Sequence, residues 1–304
     1  NRADIKFCGM EKSMSEMLSC KGIYKKYGNK EVLKGINLDI EKGKIYGLIG
    51  RNGVGKTTLL SIMTGQSMAS EGVVTLDGEK VWENKDVINK ICFSRELNPM
   101  AVMGNNNIKV KEYLRIASIF YPNWDSEMAD ELIKEFELNV KKQICKLSKG
   151  MMSMVTIIVA LASKSEFTFL DEPVAGLDVV ARDQFYRALL DEYDKTGRTF
   201  VISTHIIEEA ADIFEEVIIM KNGQVILKEN TVELLDRAFH ISGKAEEVDK
   251  LVEGMEVHHR ENIGRSKGVT VLAKPGERIN ANADVSVQPV NLQNLFVALC
   301  GKGE

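Results

Sequence analysis

The chain has 304 residues, a formal net charge of −4 at pH 7 and five cysteines. With 44% hydrophobic and 28% charged residues it has the composition of an ordinary globular protein, which excludes an intrinsically disordered or fibrous chain. Its acidic balance gives no overall attraction for nucleic acid, because that affinity comes largely from clustered Lys and Arg. The length is too great for one small core, so we expect one large domain and a smaller one.

The cysteines are scattered and include no C-x-x-C pair, so we expect reduced thiols in a cytoplasmic protein rather than a disulfide framework or a zinc site. They are Cys8, Cys20, Cys92, Cys145 and Cys300. The longest apolar run, around Met154 to Ala162, is shorter than the ~18 residues that cross a bilayer, so we expect no direct membrane insertion. Residues 1–17 contain no apolar signal core and are expected to be a tag remnant or a disordered arm.

The first elements predicted after Leu18 are short β-like runs that lead to the apolar strand KIYGLIG, which ends in glycine, and then to the helix GKTTLLSIMTG. The segment GVVTLDGEKV predicts a hairpin with its turn at Asp77 and Gly78. A short buried strand, ICFS, follows. Apolar residues at three- and four-residue spacing then predict three helices, in KVKEYLRIASIF, in SEMADELIKEFEL and after Ser148.

Strands are predicted again in FTFLDEP and TFVISTH, each followed by a helical segment, and a hairpin with its turn at Asn222 and Gly223 comes next. We therefore predict an α/β domain over residues 18–237, with a parallel core, an antiparallel margin and an inserted helical part at about 97–163. From about Ala238 the pattern alternates strand, helix, strand, strand and ends in an amphipathic helix. Residues 238–304 are thus expected to form a small α+β domain.

The stretch GRNGVGKTT, Gly50 to Thr58, fits the pattern G-x-x-x-x-G-K-[ST] between a predicted strand and a predicted helix. In such a P-loop, backbone N–H groups and the helix N-terminus hold phosphates. The side chain of Lys56 is expected to neutralise the β- and γ-phosphates, and the hydroxyl of Thr57 to bind Mg²⁺. The residues expected to contact the nucleotide are Gly50, Asn52, Gly53, Gly55, Lys56, Thr57 and Thr58.

Asp171 and Glu172 stand side by side where the strand FTFLD ends. Adjacent carboxylates repel each other unless a cation, a proton or a hydrogen-bond donor lies beside them. Successive side chains on a strand point in different directions, so the two acids are expected to have different partners. We expect Asp171 to hold Mg²⁺ and Glu172 to act as the general base for an attacking water. A solvated strand end is the alternative, and the P-loop disfavours it.

The order of these motifs resembles the ATP-binding cassette (ABC) ATPase family from about Leu18 to Asp236. The sequence LSKGM at 147–151 is similar to the signature sequence of that family, and AGLD at 175–178 is similar to its D-loop. His205, in ISTH, resembles the switch histidine. Tyr27 stands where the family has an aromatic ring beneath adenine.

The resemblance implies a dimer, either a homodimer or a heterodimer, in which the P-loop of one subunit and the signature of the other enclose ATP. Ser148, Gly150 and Asp178 then belong to the nucleotide site, and His205 contacts the γ-phosphate. It also implies an ATP-hydrolysing subunit on the cytoplasmic face of the membrane, where it drives a separate transmembrane permease. The signature and the C-terminal segment resemble the bacterial branch that serves drug, peptide-antibiotic and acetoin-type systems.

Two charged residues depart from the family pattern. Glu96 stands where the family usually has a Gln that contacts Mg²⁺; a carboxylate also ligates Mg²⁺, but it adds negative charge near the phosphates. Lys149 stands where many members have Gly, and it either adds positive charge opposite the nucleotide or faces solvent. Met151, where Gln is common, is a third difference.

Two other functions compete with transport. A non-transport ABC ATPase acting on nucleic acid is disfavoured by the acidic balance and by the lack of a second cassette, coiled coils or zinc cysteines in this sequence. A regulatory module that hardly hydrolyses ATP is suggested by Glu96 and opposed by Glu172 and His205. His258 and His259 have no such context and are expected to be surface residues of the small domain.

Overall fold

The computed structural model describes residues 16–97, 108–264, 266–277, 279, 281 and 284–301. Its strands are β1 (Met17–Tyr27), β2 (Lys30–Glu41), β3 (Ile45–Gly50), β4 (Glu71–Leu76), β5 (Glu79–Lys80), β6 (Ile91–Ser94), β7 (Phe167–Asp171), β8 (Thr199–Thr204), β9 (Glu216–Lys221), β10 (Gln224–Asn230), β11 (Ala238–Lys244), β12 (Glu256–Ile263), β13 (Ser266–Leu272) and β14 (Val285–Pro289). Its helices are α1 (Lys56–Met63), α2 (Lys85–Ile88), α3 (Val110–Phe120), α4 (Ser126–Glu135), α5 (Lys149–Ala162), α6 (Val179–Thr196), α7 (Ile207–Ala210), α8 (Thr231–Leu235), α9 (Ala245–Leu251) and α10 (Leu292–Cys300).

A six-stranded sheet with the order β10-β9-β3-β8-β7-β6 forms the centre of the cassette. The five strands from β9 to β6 are parallel to one another, and β10 pairs antiparallel with β9 at one edge. A separate four-stranded antiparallel sheet has the order β2-β1-β4-β5. The predicted α/β class, with a parallel core and an antiparallel margin, is therefore confirmed. The sequence did not indicate that most of this margin is a sheet of its own.

Both predicted hairpin turns are present. Asp77 and Gly78 have φ of 52° and 86°, and Asn222 and Gly223 have φ of 53° and 81°. Positive φ at both central residues matches the right-handed twist of the flanking strands, which explains the Asp-Gly and Asn-Gly sequences. A Cβ on Gly223 would lie 2.4 Å from the backbone oxygen of Val32, so this turn also contacts β2 closely.

Apolar side chains cover both faces of the central sheet. One core cluster lies between that sheet, α1 and the antiparallel sheet, and a second lies beneath α3 to α6. Among the described helices, none is long and apolar enough to span a lipid bilayer. The apolar residues that recur at three- and four-residue spacing in the inserted helices thus form part of the hydrophobic core of the cassette.

The C-terminal segment forms a four-stranded antiparallel sheet, β12-β13-β11-β14, with its own apolar cluster around Ile241 and Val269. The last helix, α10, contributes Leu292 and Leu295 to the large core of the cassette instead. Gln293 Nε2 donates to Glu208 Oε1 of α7 at 3.1 Å. The predicted domain limits remain predictions; β1 begins at Met17, one residue before the predicted start of the cassette.

The expectation that His258 is a surface residue is wrong. Only 14% of its side chain is exposed, at a bulge where the register of β12 against β13 shifts between Val257 and His259. Burial lowers the pKa of His258. His259, at 32%, is partly exposed.

Buried charges fix the C-terminal end of α5. The guanidinium of Arg198 donates to the backbone oxygen of Leu161 at 2.7 Å, in the last turn of the helix, where carbonyls lack the usual helical partner. Burial lowers the pKa of Arg198, and the nearby Glu192 carboxylate, 3.2 Å from Arg198 Nε, opposes that shift. Glu192 also accepts a bond from Lys164 Nζ at 2.6 Å. The long apolar helix is therefore anchored where it ends.

Candidate nucleotide-hydrolysis site

The P-loop joins the buried end of β3 to the first turn of α1. Gly53 and Gly55 have φ of 79° and 112°, conformations that side chains with a Cβ rarely adopt. A Cβ on Gly55 would also lie 2.7 Å from Leu33 Cδ2. Lys56 begins the helix and is 6% exposed, and its Nζ donates to the backbone oxygen of Gly50 at 2.7 Å. The P-loop therefore encloses the side chain of Lys56.

Asp171, the last residue of β7, is bound by two hydroxyl groups. Thr57 Oγ1 donates to Asp171 Oδ2 at 2.6 Å, and Ser203 Oγ donates to Asp171 Oδ1. The P-loop and the acidic strand end are therefore connected directly. Two neutral donors stabilise the ionised carboxylate without cancelling its charge.

Glu172 has different partners. Its carboxylate oxygen Oε2 lies 2.6 Å from His205 Nδ1, and Oε1 lies 3.5 Å from Lys56 Nζ. Its backbone has a φ of 50°, which turns the chain away from the strand immediately after Asp171. The prediction that the two acids have different partners is confirmed by these contacts. The catalytic candidates Lys56, Glu172 and His205 are brought together.

Ser203 is a site residue that the sequence analysis missed. It is fully buried on β8, directly opposite Asp171 in the parallel register. Besides its bond to Asp171, its Oγ accepts the backbone N–H of Glu172 at 3.1 Å, and its backbone oxygen accepts the same N–H at 3.0 Å. The signal was available, since Ser203 is a polar residue that follows three apolar ones near the end of a strand predicted to run parallel to that of the acids.

A cavity of about 210 Å³ opens beside these groups. Asn52 of the P-loop, Asp171, Glu172 and His205 line it together with Glu96 and Lys149. Glu96, predicted as a metal ligand, is 63% exposed and lies 3.4 Å from Lys149 Nζ. Glu96 also borders a second cavity of about 770 Å³, which reaches Thr57 and Asp171 on one side and the face of α3 on the other.

The signature and the D-loop contact each other at the edge of their own P-loop cavity, which Lys149 and Ala175 line. Ser148 caps α5, with its Oγ accepting the N–H of Met151 at 3.2 Å. A Cβ on Gly150 would lie 2.4 Å from the backbone oxygen of Gly176, so only glycine permits this approach. Asp178 caps α6 in the same way through Ala181. The 210 Å³ cavity is lined by none of these three predicted nucleotide contacts.

The remaining predicted contacts lie around the P-loop. Tyr27 ends β1 and is 54% exposed, so its ring is accessible for stacking; Lys25 Nζ lies 5.1 Å from the ring centroid. Asn52 and Gly53 are exposed at the tip of the loop, and Thr58 is half-buried in α1.

The hydroxyl and carboxylate at the base of the P-loop suit Mg²⁺. Thr57 Oγ1 and Asp171 are two oxygen donors 2.6 Å apart, and Mg²⁺ is usually bound by one or two protein oxygens together with phosphate oxygens and water. Within the described residues, no group of three or more His, Cys, Asp or Glu side chains is arranged as a metal site. The donor set fits a metal that is shared with a nucleotide.

The fold and this cluster define a P-loop ATPase of the cassette type. Residues 33–175 match the family model described as ABC transporter. The ABC transporter ATP-binding protein YtrB of Bacillus subtilis is 24% identical over 94% of this chain and 98% of its own length. The lantibiotic transport ATP-binding protein SrtF of Streptococcus pyogenes is 28% identical over 70% of this chain and 90% of its own length.

Solved structures show the same fold. The bacterial ABC transporter cassette MJ0796, in a dimeric structure, covers 70% of this chain and 98% of its own with a TM-score of 0.61 at 24% identity. A structure of the post-hydrolysis state of MJ0796, bound to ADP and Pi, also covers 70% of this chain and 98% of its own, with a TM-score of 0.58 at 26% identity. Residues 33–175 thus form an ABC transporter domain, and the chain is an ATP-binding, ATP-hydrolysing subunit of that type.

Replacing Ser203 with alanine tests the part played by its hydroxyl. We expect Ser203→Ala to lower the rate of ATP hydrolysis by about tenfold or more, because a hydrogen bond to a charged group contributes about 1.5–3 kcal/mol. Steady-state phosphate release measures the effect. Thr168→Val, on the same sheet but distant from the acids along β7, is the control and should retain its rate. Equal rates for Ser203→Ala and the unchanged protein would contradict the assignment.

Proposed function

We propose that two copies of this chain, or one copy and a similar subunit, close around Mg-ATP and thereby drive a separate membrane permease. The observation that carries the proposal is the cluster of Lys56, Glu172 and His205 beside the P-loop, while Ser148 of the same subunit lies outside that cavity. Because Ser148 does not line the cavity of its own subunit, its hydroxyl is available to the nucleotide of a partner. The dimeric MJ0796 cassette is consistent with this arrangement.

The nucleotide would lie with adenine on Tyr27 and its phosphates in the P-loop. Gly50, Gly53 and Gly55 leave room for backbone N–H groups to approach phosphate oxygens, and the N-terminus of α1 favours negative charge. Lys56 is placed to pass from the Gly50 carbonyl to the β- and γ-phosphates. Asn52 and Thr58 complete the contacts on either side of the loop.

Glu172 is the proposed general base. Its Oε2 lies 2.6 Å from Nδ1 of His205, and this contact fixes the direction of the carboxylate. In that position it would take the proton of a water that attacks the γ-phosphate, while His205 donates to the phosphate. Bound Mg²⁺, held by Thr57 and Asp171, would offset the negative charge of the phosphate oxygens. Glu96 is the proposed additional metal contact.

The partner's signature would close the site from the other side. Ser148 lies at the N-terminus of α5, a helix of 14 residues, so that its hydroxyl and the N–H groups near Gly150 offer donors to a γ-phosphate. Gly176 of the D-loop packs against Gly150, and Asp178 follows it at the start of α6. Hydrolysis removes the shared anion, so the pair of subunits should open, and this converts chemistry into movement.

The permease is proposed to bind the face of α3. The 770 Å³ cavity is lined there by Tyr113, Ile116 and Phe120, and both Ile119 and Phe120 are 70% exposed. Exposed apolar patches of this kind mark interaction sites, and a helix of a partner suits an apolar groove. Because Glu96 lines both this cavity and the 210 Å³ cavity, the proposed docking face lies next to the proposed nucleotide site. The protein would thus act at the cytoplasmic face of the membrane.

The transport class remains a proposal about this chain. The relative SrtF is named for lantibiotic transport, and the sequence resemblance pointed to the branch with drug, peptide-antibiotic and acetoin-type systems. No feature of the described site contacts a transported substrate, since every proposed contact is to nucleotide, Mg²⁺ or a protein partner.

Glu172→Gln tests the base and the dimer together. The variant should bind ATP normally but hydrolyse it at least about a hundredfold more slowly, because an amide accepts no proton. The uncleaved nucleotide should hold two subunits together, so light scattering with Mg-ATP should show a dimer. Glu166→Gln, just before the start of β7, is the control and should turn over ATP at the normal rate. Rapid hydrolysis by Glu172→Gln would refute its role as base.

Phe120→Ser tests the docking face. The loss of a large apolar side chain should reduce the amount of protein recovered with membranes that contain the permease, since apolar burial drives such contacts. The ATPase rate of the isolated protein should stay unchanged. Val297→Ser, an exposed apolar position on α10, serves as the control and should leave recovery unaffected. Equal recovery of both variants would place the permease elsewhere.

A further inference from the structure

An ion pair connects the signature to the segment that follows β6. Nζ of Lys149, the first residue of α5, lies 3.4 Å from Oε1 of Glu96. The two side chains are 53% and 63% exposed. These are the two charged departures from the family pattern noted above, and they have opposite signs. In the structure, these two side chains contact each other.

The path of the Lys149 side chain is defined by the backbone beneath it. A Cβ on Gly176 would lie 2.9 Å from Lys149 Cγ, so the lysine stem runs directly over this glycine of the D-loop. The same turn of α5 is held there by Ser153 Oγ, which donates to the backbone oxygen of Ala175 at 2.8 Å. The ammonium group is therefore held beside the cavity of its own subunit.

The charge balance of that cavity depends on Lys149. Three carboxylates line it, those of Glu96, Asp171 and Glu172. The ammonium of Lys56 is 3.5 Å from Glu172 and is assigned to the phosphates. An unpaired carboxylate at position 96 would repel a triphosphate, because like charges at short range raise the free energy of binding. Lys149 supplies the positive charge that offsets Glu96.

We propose that Lys149 is a positioning residue for Glu96 within one subunit. Its ammonium neutralises the Glu96 carboxylate, so that this carboxylate does not repel ATP and stays close to the site proposed for Mg²⁺. Exposed ion pairs are weak and exchange partners easily, which allows Glu96 to turn toward the metal when Mg-ATP is bound. The inference rests on the proposed function, in which the cavity receives the triphosphate.

A double-mutant cycle on the full chain tests the pairing. The affinity for a fluorescent ATP analogue is measured in EDTA for the unchanged protein, Lys149→Met, Glu96→Gln and the double variant. Lys149→Met should weaken binding by about two- to fivefold, the range expected for an exposed ion pair. Glu96→Gln in the Lys149→Met background should restore the affinity. At about 1 M salt, where the Debye length is about 3 Å, the differences should disappear.

Two results would overturn the inference. A double variant that binds ATP as weakly as Lys149→Met would mean that Lys149 acts on the nucleotide directly and not through Glu96. An effect of Lys149→Met that persists at high salt would exclude charge compensation. Lys250→Met, which breaks an exposed pair with Glu247 on α9, is the control and should bind normally. Absence of ATP binding by the unchanged protein would instead contradict the proposed function itself.

Discussion

The parallel pairing of β7 with β8 is the constraint on which the catalytic site depends. This register places Asp171 opposite Ser203, and both strands end at the same edge of the sheet. One strand supplies the two acids, and the other supplies the hydroxyl and the imidazole that bind them. The repulsion between adjacent carboxylates is thereby met by separate partners, two hydroxyls for Asp171 and a histidine and a lysine for Glu172.

A second constraint is the rigid attachment of α5. Its first turn packs on the D-loop through Gly150 and Gly176, and the carbonyl of Leu161 in its last turn accepts a bond from Arg198. The D-loop in turn is tied to the segment after His205, because Arg182 donates to the backbone oxygen of Leu177 and to Glu209. The signature, the D-loop and the segment after His205 are therefore connected by direct contacts, as the proposed opening of two subunits would require.

Local sequence patterns predicted the fold well where one segment determines its own structure. The turn at Asn222 and Gly223 is an example, because positive φ at both residues is needed there whatever surrounds them. Which side chains meet through tertiary structure was not predictable, even where the sequence marked a residue as unusual. Ser203 joins Asp171 across 32 residues of sequence, and α10 enters the cassette core from the far end of the chain. Likewise, the partner of Lys149 was left open because its neighbour Glu96 lies on another element.

The assignment of Asp171 to the metal and of Glu172 to the attacking water is tested most directly by locating the metal ion. A crystal of the protein with a non-hydrolysable ATP analogue and Mn²⁺ in place of Mg²⁺ would show the ion by its anomalous scattering. The account predicts a single peak between Thr57 and Asp171, with the Glu172 carboxylate turned toward the γ-phosphate and free of the metal. A peak bridging Asp171 and Glu172 would contradict the assignment of one acid to the metal and the other to the water.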